Sequence, residues 1–472
     1  MEGDVCHLED WHGYVRFAWK RLLSRNFDQC FFVSSMESVD VAIIGAGLCG
    51  LALAIGLQNR GITAHLFEKS DGIRADTATG ISIGKNGTFF SYLPLFRAVR
   101  FFAGGRALDG IHPGLEEAMK SAGTQIKSFR ILDITGGEKQ EIEMKEGEIP
   151  AVFMVPWRKA RKMLADMVPS SNVHCSHKLV SYSAAKDKDE VELEFEVRDD
   201  QGRTSRKTIH ADLVIGTDGV HSAVRKIMVG DKPRDLHLMN WNALVYNPDS
   251  KFFKVHEKDQ IFMIKDHATF VHLADSGEDY TLWVVRMHNE DIPTGGAFGG
   301  PPAKERALKE IRKLEPPEVW EPLRIAVEAT SPELIYERRI IDNPPLESWS
   351  DLDGRVLLIG DAAHAMHWGP GQGARTAFED AHQLSELLAA AIATGEERKR
   401  AIARFEELRI PRMTRFQAFA AEGTELPEFV TEDVQTLPES ERRKRRYEFQ
   451  AWADSYPEKM AGDPDSTYFK PL

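Results

Sequence analysis

Three short apolar runs, at 41–44, 213–215 and 356–359, consist of Val, Ile, Leu and Ala, and each stops at a glycine. Runs of that length bounded by glycine read as buried strands. Residues 48–59, dense in Leu and Ala, read as a helix ended by Gly61, and 62–67 as the strand after it. The stretch 79–84 alternates apolar and small positions. Residues 191–197 and 204–209 alternate on either side of Asp199-Asp200-Gln201-Gly202, which predicts a hairpin feeding into the run at 213–215. Residues 157–167 predict a helix, and 85–150 mix helix with polar hairpin pieces such as 133–146. Between 236 and 340 the character changes. There 260–264, 270–273 and 280–286 read as strands of a separate sheet, interrupted by a Pro/Gly-rich loop at 292–302 and a charged helix at 304–314. A long helix then extends to about residue 394, with further helices at 404–422 and 439–456. The pattern predicts an α/β chain in five parts: an extension at 1–36, a first domain from 37–235 and 341–410, an inserted mixed-sheet domain at 236–340, and C-terminal helices and tail at 411–472.

The residues after each apolar run carry candidate chemistry. After the first comes Gly45-Ala46-Gly47-Leu48-Cys49-Gly50. In a strand–glycine–helix turn, Gly45 makes the tight turn, Gly47 admits a pyrophosphate to the backbone, and Gly50 lets helix pack on strand. The helix N-terminus at Leu48 then offers free N–H groups to phosphate. Glu68 ends the next strand, about twenty residues past the loop, where an acid accepts ribose hydroxyls and disfavours a 2′-phosphate. After the second run comes Asp218-Gly219, and after the third Gly360-Asp361.

Other readings of these residues are weaker. Residues 41–57 carry no charge, but their four glycines and strand-like start argue against a membrane helix. Gly80-Ile81-Ser82-Ile83-Gly84 fits the hydrolase elbow pattern, yet Ser82 sits inside an alternating stretch rather than at a strand-to-helix turn. Asp361, His364 and His367 can be drawn as a metal triad, but no metal is expected.

Composition narrows the class. The chain has 472 residues, 42% apolar and 28% charged, as in an ordinary globular protein of two or three domains. A net charge of −13 argues against a nucleic-acid partner. Cys6, Cys30, Cys49 and Cys175 are scattered, with no C-x-x-C pair, which suits a reducing compartment. Residues 11–27 contain Arg16, Lys20, Arg21 and Arg25 and no acid, preceded by Glu2, Asp4, Glu9 and Asp10. This segment is either an amphipathic targeting or membrane-surface helix or a disordered extension. The expected location is cytoplasmic, or an organelle if 1–36 is a targeting segment, and any membrane association falls to that segment. The basic run 442–446 reads as a solvated helix face.

With these motifs in place, residues 38–456 resemble the single-component FAD-dependent aromatic-ring monooxygenases, the para-hydroxybenzoate and salicylate hydroxylase type with zeaxanthin-epoxidase-like relatives. That family's middle motif reads DLVIGADGxxSxVR and is matched within 212–225 by Asp218, Gly219, His221, Ser222 and Arg225. Its last reads GDAAHPMxPxxGQGxNxxxEDA and is matched by Gly360, Asp361, His364, Met366, Gly371, Gln372, Gly373, Glu379 and Asp380. The resemblance implies a glutathione-reductase-like, Rossmann-type FAD-binding domain with an inserted mixed-sheet substrate domain and a C-terminal helical region. It implies FAD as cofactor and NADPH or NADH as co-substrate. The reaction would be O2-dependent hydroxylation or epoxidation of a small aromatic or alkene through a flavin C4a-hydroperoxide.

By the same resemblance, 212–225 contacts FAD and the nicotinamide cofactor, Asp361 accepts from the ribityl chain, and Gly371, Gln372 and Gly373 open a helix toward the flavin. Arg74 and Arg158 match arginines of the family, with Arg161 a competing candidate for the second. The chain departs from the family where Ala365 and Trp368 replace prolines and Arg375 replaces Asn. Trp368, Arg375 and His367 are therefore pocket candidates: a Trp to wall the cavity, an Arg to bind an acidic substrate. An FAD oxidoreductase without oxygenation, or a non-catalytic flavin-binding sensor or interaction module, are the alternatives.

Overall fold

The computed structural model describes residues 38–422 except 73–78, 85–103, 136–138, 147–148, 150–151, 187, 200, 249–256, 267–268, 289–296 and 370. Beyond 422 it describes 436–438, 441, 444–445, 449 and 452–453. Arg74, the extension at 1–36 and most of the helix expected at 439–456 lie outside the described residues.

Along the chain, β1 (Ser38–Ile44), α1 (Leu48–Gln58) and β2 (His65–Phe67) form the first strand–helix–strand unit. After β3 (Gly80–Gly84) come α2 (Gly104–Ile111), α3 (Leu115–Ser121), β4 (Thr124–Ile126) and the hairpin of β5 (Ser128–Asp133) and β6 (Gln140–Lys145). β7 (Val152–Pro156) leads into α4 (Trp157–Asp166), then β8 (Val173–His174), β9 (His177–Ala184), β10 (Val191–Arg198), β11 (Thr204–Gly216) and α5 (Ala223–Met228). β12 (Arg234–Tyr246), β13 (Gln260–Lys265), β14 (Thr269–Asp275) and β15 (Tyr280–His288) precede β16 (Ala297–Phe298), α6 (Gly300–Ile311), α7 (Pro317–Ala329) and β17 (Tyr336–Asp342). β18 (Ser350–Asp351), β19 (Val356–Leu358), the short α8 (Asp361–His364), α9 (Gly373–Thr394) and α10 (Arg398–Glu422) follow.

The first sheet has the order β18-β19-β11-β1-β2-β8, with β10 and β9 added as antiparallel strands beside β11. Its centre is parallel. Ile44 lies opposite Phe67 on one side and Gly216 on the other, and Gly216 lies opposite Leu358. Val41 to Ile44 are all buried, because a parallel sheet is covered on both faces. Helix α1 is buried from Leu48 to Leu57 and packs along α9, where a side chain on Gly56 would meet Ser385 Oγ at 2.8 Å. A buried strand followed by a buried helix accounts for the charge-free run 41–57. Among the described residues no helix is long and apolar enough to cross a membrane.

The second sheet has the order β16-β17-β12-β15-β14-β13-β5-β6. Trp241, Ala243, Val245, Trp283 and Val285 on one face pack against Ala303, Ala307, Trp320 and Leu323 of α6 and α7. Its other face turns toward the first sheet's loops. β5 and β6 come from residues before the boundary expected at 236. β5 pairs in parallel with β13, and Phe129 and Ile131 join Leu244, Ile261 and Met263 in one apolar cluster. Burial of these side chains, not chain order, therefore assigns the hairpin to the second sheet. A small antiparallel sheet, β3-β7-β4, lies between, with Ser82 opposite Met154 in mid-strand and no elbow turn at the serine.

Candidate active site

The register of the first sheet ends β1, β2, β11 and β19 together. The residues that follow, Gly45, Glu68, Asp218 and Gly360-Asp361, therefore gather at one carboxyl edge from more than three hundred residues of chain. Ligands of open parallel sheets bind outside that edge. A cavity of about 670 Å³ runs from there to the second sheet.

At the glycine loop, Gly45 has φ +105°, and a side chain there would meet Asp218 Cα at 2.8 Å. A side chain on Gly50 would lie 2.1 Å from the Gly45 carbonyl oxygen. Gly47 instead faces open space and lines the cavity with Leu48 and Cys49. No side chain caps α1, so its first-turn N–H groups are available to an anion. The Ala46 N–H donates to Glu68 Oε2 at 3.0 Å and the Ser70 N–H to Oε1 at 2.9 Å. Burial pushes the Glu68 carboxyl up, but these donors and Arg161 outweigh it and hold the pKa below its usual value.

Arg161 donates to the Ala46 carbonyl at 2.8 Å and lies 3.6 Å from Glu68. The expected Arg158 does not line the cavity: its guanidinium lies over the Tyr280 ring at 4.4 Å. On α4 it is Arg161 that shares the buried face with Ala160 and Leu164, so the competing candidate reaches the loop.

Asp218 lines the cavity and accepts from the Ala223 N–H at 2.6 Å, so it also caps α5. Burial raises its pKa against that bond and the one from Ser222. Gly219 lines the cavity beside it. Arg225 does not. Its donors go to the Ala363 carbonyl at 2.7 Å, the Pro344 carbonyl at 2.7 Å and Asp231 at 3.0 Å. It ties the second motif to the third instead of offering a fork to a ligand.

In the third motif, Asp361 opens α8 and lines the cavity with its side chain exposed there. Its desolvated surroundings raise its pKa and Asp380 adds to this, against His364 and Arg338. The turn is held from behind: Asp380 accepts from the Gly360 N–H at 2.9 Å, from His364 at 2.6 Å and from Arg409 at 2.7 Å. Gly371, Gly373, Ala374 and Ala377 line the cavity at the N-terminus of α9, which also lacks a side-chain cap. Gln372 turns inward and accepts from Arg375 at 3.1 Å.

Of the three pocket candidates, Trp368 lines the cavity, where it packs beside Phe270 at 5.8 Å between ring centres. His367 is buried behind it and bonded to Arg286 at 3.0 Å. Burial, then Arg286 and His288, hold the His367 pKa well down. Arg375 points the other way, toward Glu379 and the Ala453 carbonyl, so it cannot meet a substrate in this cavity. His364 is engaged with Asp380 and His367 with Arg286, so the triad with Asp361 does not converge.

The roof comes from the inserted segment 236–340, as expected of a substrate domain, but through residues that sequence reasoning did not name: Asn240, Asn242, Phe270, His272, Leu282, Val284 and Arg338 also line the cavity. One signal was present. Asn240 and Asn242 interrupt the otherwise apolar run 238–245 at period two, which puts them on one face.

The site fits a dinucleotide. Two uncapped helix N-termini, an acid at the end of β2 and an open glycine loop share one elongated cavity. The family described as FAD binding domain matches residues 108–327 and 341–420, more than half of the chain. An NAD(P)-binding Rossmann-like domain family matches 43–95. The chain is 26% identical to the 3-amino-4-hydroxybenzoate 2-monooxygenase of Streptomyces cremeus, over 80% of this chain and 84% of that protein. It is 27% identical to the 3-hydroxybenzoate 6-hydroxylase of Klebsiella oxytoca, over 79% and 85%. The crystal structure of Klebsiella pneumoniae HpxO with FAD and uric acid shares the fold, with a TM-score of 0.61, 20% identity and coverage of 90% and 94%. The chain therefore belongs to the FAD binding domain family, in its branch of single-component FAD-dependent monooxygenases.

Proposed function

We propose that this monooxygenase hydroxylates a small aromatic ring held between the carboxyl edge of the first sheet and the roof formed by the second. The supporting observation is the single cavity that joins the glycine loop, Asp218 and Asp361 to a roof of Phe270, Leu282, Val284 and Trp368. Bound FAD supplies what no side chain can, electron uptake from NADH or NADPH and activation of O2. The protein's part is to bind, orient and exclude water. The α1 N-terminus would face the diphosphate and Glu68 the ribose hydroxyls. Asp361 would accept from the cofactor's hydroxyl chain. The α9 N-terminus would stabilise negative charge on the reduced ring by roughly 0.3–2 kcal/mol. The apolar members of the roof, Phe270, Leu282, Val284 and Trp368, would keep water from the reacting atoms. The two relatives above are named for hydroxybenzoate substrates, which supports an aromatic rather than an alkene.

The test is the absorption spectrum of the purified protein from about 300 to 550 nm, then NADH and NADPH oxidation with a panel of phenols, benzoates and isoprenoids under 18O2. Flavin bands, oxidation stimulated by an aromatic and one labelled oxygen in the product are expected. Stimulation by isoprenoids alone would replace the aromatic reading, and the absence of label in any product would remove oxygenation.

A further inference from the structure

The loop that joins α8 to α9 is gripped from the second sheet. It starts at Ala365, whose carbonyl accepts from the Asn343 N–H at 3.2 Å and from Gln417 Nε2 at 3.2 Å. It ends at Gly371 and Gly373, which line the cavity where α9 begins without a side-chain cap. Between these ends Arg286 of β15 reaches His367 Nε2 at 3.0 Å. An arginine only donates, so Nε2 is the acceptor and the imidazole is neutral. Burial, then Arg286 and His288, hold His367 in that form.

The backbone folds tightly around this imidazole. A side chain on Gly369 would meet His367 Cε1 at 2.5 Å. Gly371, at φ +66°, donates its N–H to the Trp368 carbonyl at 2.8 Å. The Trp368 ring lies 5.7 Å from that of His367 and 5.8 Å from that of Phe270, and the Arg286 guanidinium lies over Phe270 at 5.7 Å. Arg286 and Phe270 stand opposite each other on β15 and β14. Two side chains of the loop and two of the second sheet thus close a ring. Ala365 and Trp368 stand where the family has prolines, and a proline fixes backbone by itself.

We propose that Arg286 is a positioning residue: through His367 it holds the loop 365–372 and so sets where the α9 N-terminus stands relative to the flavin. A directional bond to another sheet does here what prolines do locally. The assignment rests on the monooxygenase reading, in which that terminus faces the reduced ring. Among the described residues that line the cavity Arg286 does not figure, so it acts through His367 and not on a ligand. A bond from a cation to an imidazole nitrogen fixes direction as apolar packing does not. Without it the loop keeps its ends and the Trp368 contacts but shifts between them, and charge on the reduced ring loses part of the helix field.

The experiment measures the two-electron midpoint potential of the bound FAD by anaerobic reduction against a reference dye, with FAD affinity and melting temperature alongside. His367→Leu and Arg286→Leu should each weaken the preference for reduced over oxidised flavin about three- to tenfold, a fall of about 15–30 mV. The double variant should fall no further than either single one, because the same bond is lost in all three. His367→Gln, whose amide oxygen can accept from Arg286, should stay within about twofold of the natural protein. Affinity for oxidised FAD should change by less than about threefold throughout.

An unchanged potential in His367→Leu overturns the proposal. A fall in Arg286→Leu alone means that the charge acts on the flavin directly and overturns it too, as does a double variant in which the two falls add. A fall in His367→Gln as large as in His367→Leu would make the imidazole's packing responsible rather than its bond, and the proposal would go. If one leucine variant does not fold, the other, set against His367→Gln, decides alone. The monooxygenase reading fails separately, through absent flavin bands or absent 18O in product.

Discussion

The two ends of the cavity are built by different means. At the carboxyl edge of the first sheet the work is done largely by backbone: glycine positions, helix N-termini, and N–H groups held by Glu68 and Asp218. Few residue types allow that geometry, so it leaves short, recognisable motifs. At the roof the work is done by side chains standing on β12, β14, β15 and β17, where any residue of suitable size keeps the strand intact. The end proposed for the cofactor is therefore constrained by chain geometry, and the end proposed for substrate by its ligand alone.

The largest effect should come from breaking the backbone at the first end. A Cβ on Gly50 would lie 2.1 Å from the Gly45 oxygen and 2.6 Å from Thr217 Oγ1. Neither can retreat, because Thr217 Oγ1 donates to the Ile44 and Gly45 carbonyls at 3.0 and 2.8 Å. Gly50→Val should lose flavin by at least about a hundredfold in affinity and lower the melting temperature by several degrees. Asn240→Leu, a substitution of similar bulk at the roof, should purify with full flavin. Equal flavin occupancy in the two variants would show that the ends are not separable in this way.

Next in size is the charge network that holds the third motif. Burial raises the Glu379 carboxyl, but Arg412, Arg409 and Arg375 overcome it and bring the pKa to about 2. Asp380 is likewise lowered, against its burial, by Arg409 and His364. A carboxylate whose pKa is depressed by folding stabilises the protein fully above its unfolded value and loses that stabilisation as pH falls. For Glu379 the window runs from about pH 5 down to about 2, with a contribution on the order of 3 kcal/mol. The melting temperature should fall through this window, releasing flavin as it does. Glu379→Gln should start lower at neutral pH and show a shallower acid slope. A variant slope as steep as the natural one would place the acid sensitivity elsewhere.

The same contrast explains what could be read from the chain alone. Gly45 to Gly50, Glu68, Asp218 and Asp361 were legible, because tight turns and helix starts admit few residues and the register of β1, β2, β11 and β19 then brings them together. The hairpin around Asp199 and the strands at 260–264, 270–273 and 280–286 were legible from period-two alternation. Arg338 was not, because its neighbour Asn240 lies almost a hundred residues away and only the β12–β17 register unites them. Arg225 and Arg375 were misplaced for a related reason. A motif fixes where the backbone goes, but a long side chain can reach Ala363 or Ala453 on the far side of it.

Trp368→Ala sharpens the comparison from the roof. The indole closes the cavity beside Phe270 and touches no residue of the glycine loop among the described contacts. Its removal should leave flavin occupancy unchanged and open the reacting end to water. The fraction of NAD(P)H oxidation that yields hydroxylated product should then fall by about tenfold. An unchanged ratio would mean that Trp368 shapes neither the substrate nor water access.

Arg375→Asn, which restores the residue the family shows at that position, should do least. Arg375 bonds Gln372, Glu379 and the Ala453 carbonyl, all behind α9 rather than in the cavity. Glu379 keeps Arg409 at 2.8 Å and Arg412 at 2.9 Å in the variant, and Arg412 keeps the Ala453 carbonyl at 2.8 Å. The loss is therefore one shared grip, worth about 1 kcal/mol. Trp452 and Phe449, packed on Phe416, should loosen first, so limited proteolysis near Trp452 should quicken while the KM for substrate stays within about twofold. A larger change in KM with unchanged proteolysis would put Arg375 in contact with substrate. The departure from the family would then belong to the pocket rather than to the C-terminal segment.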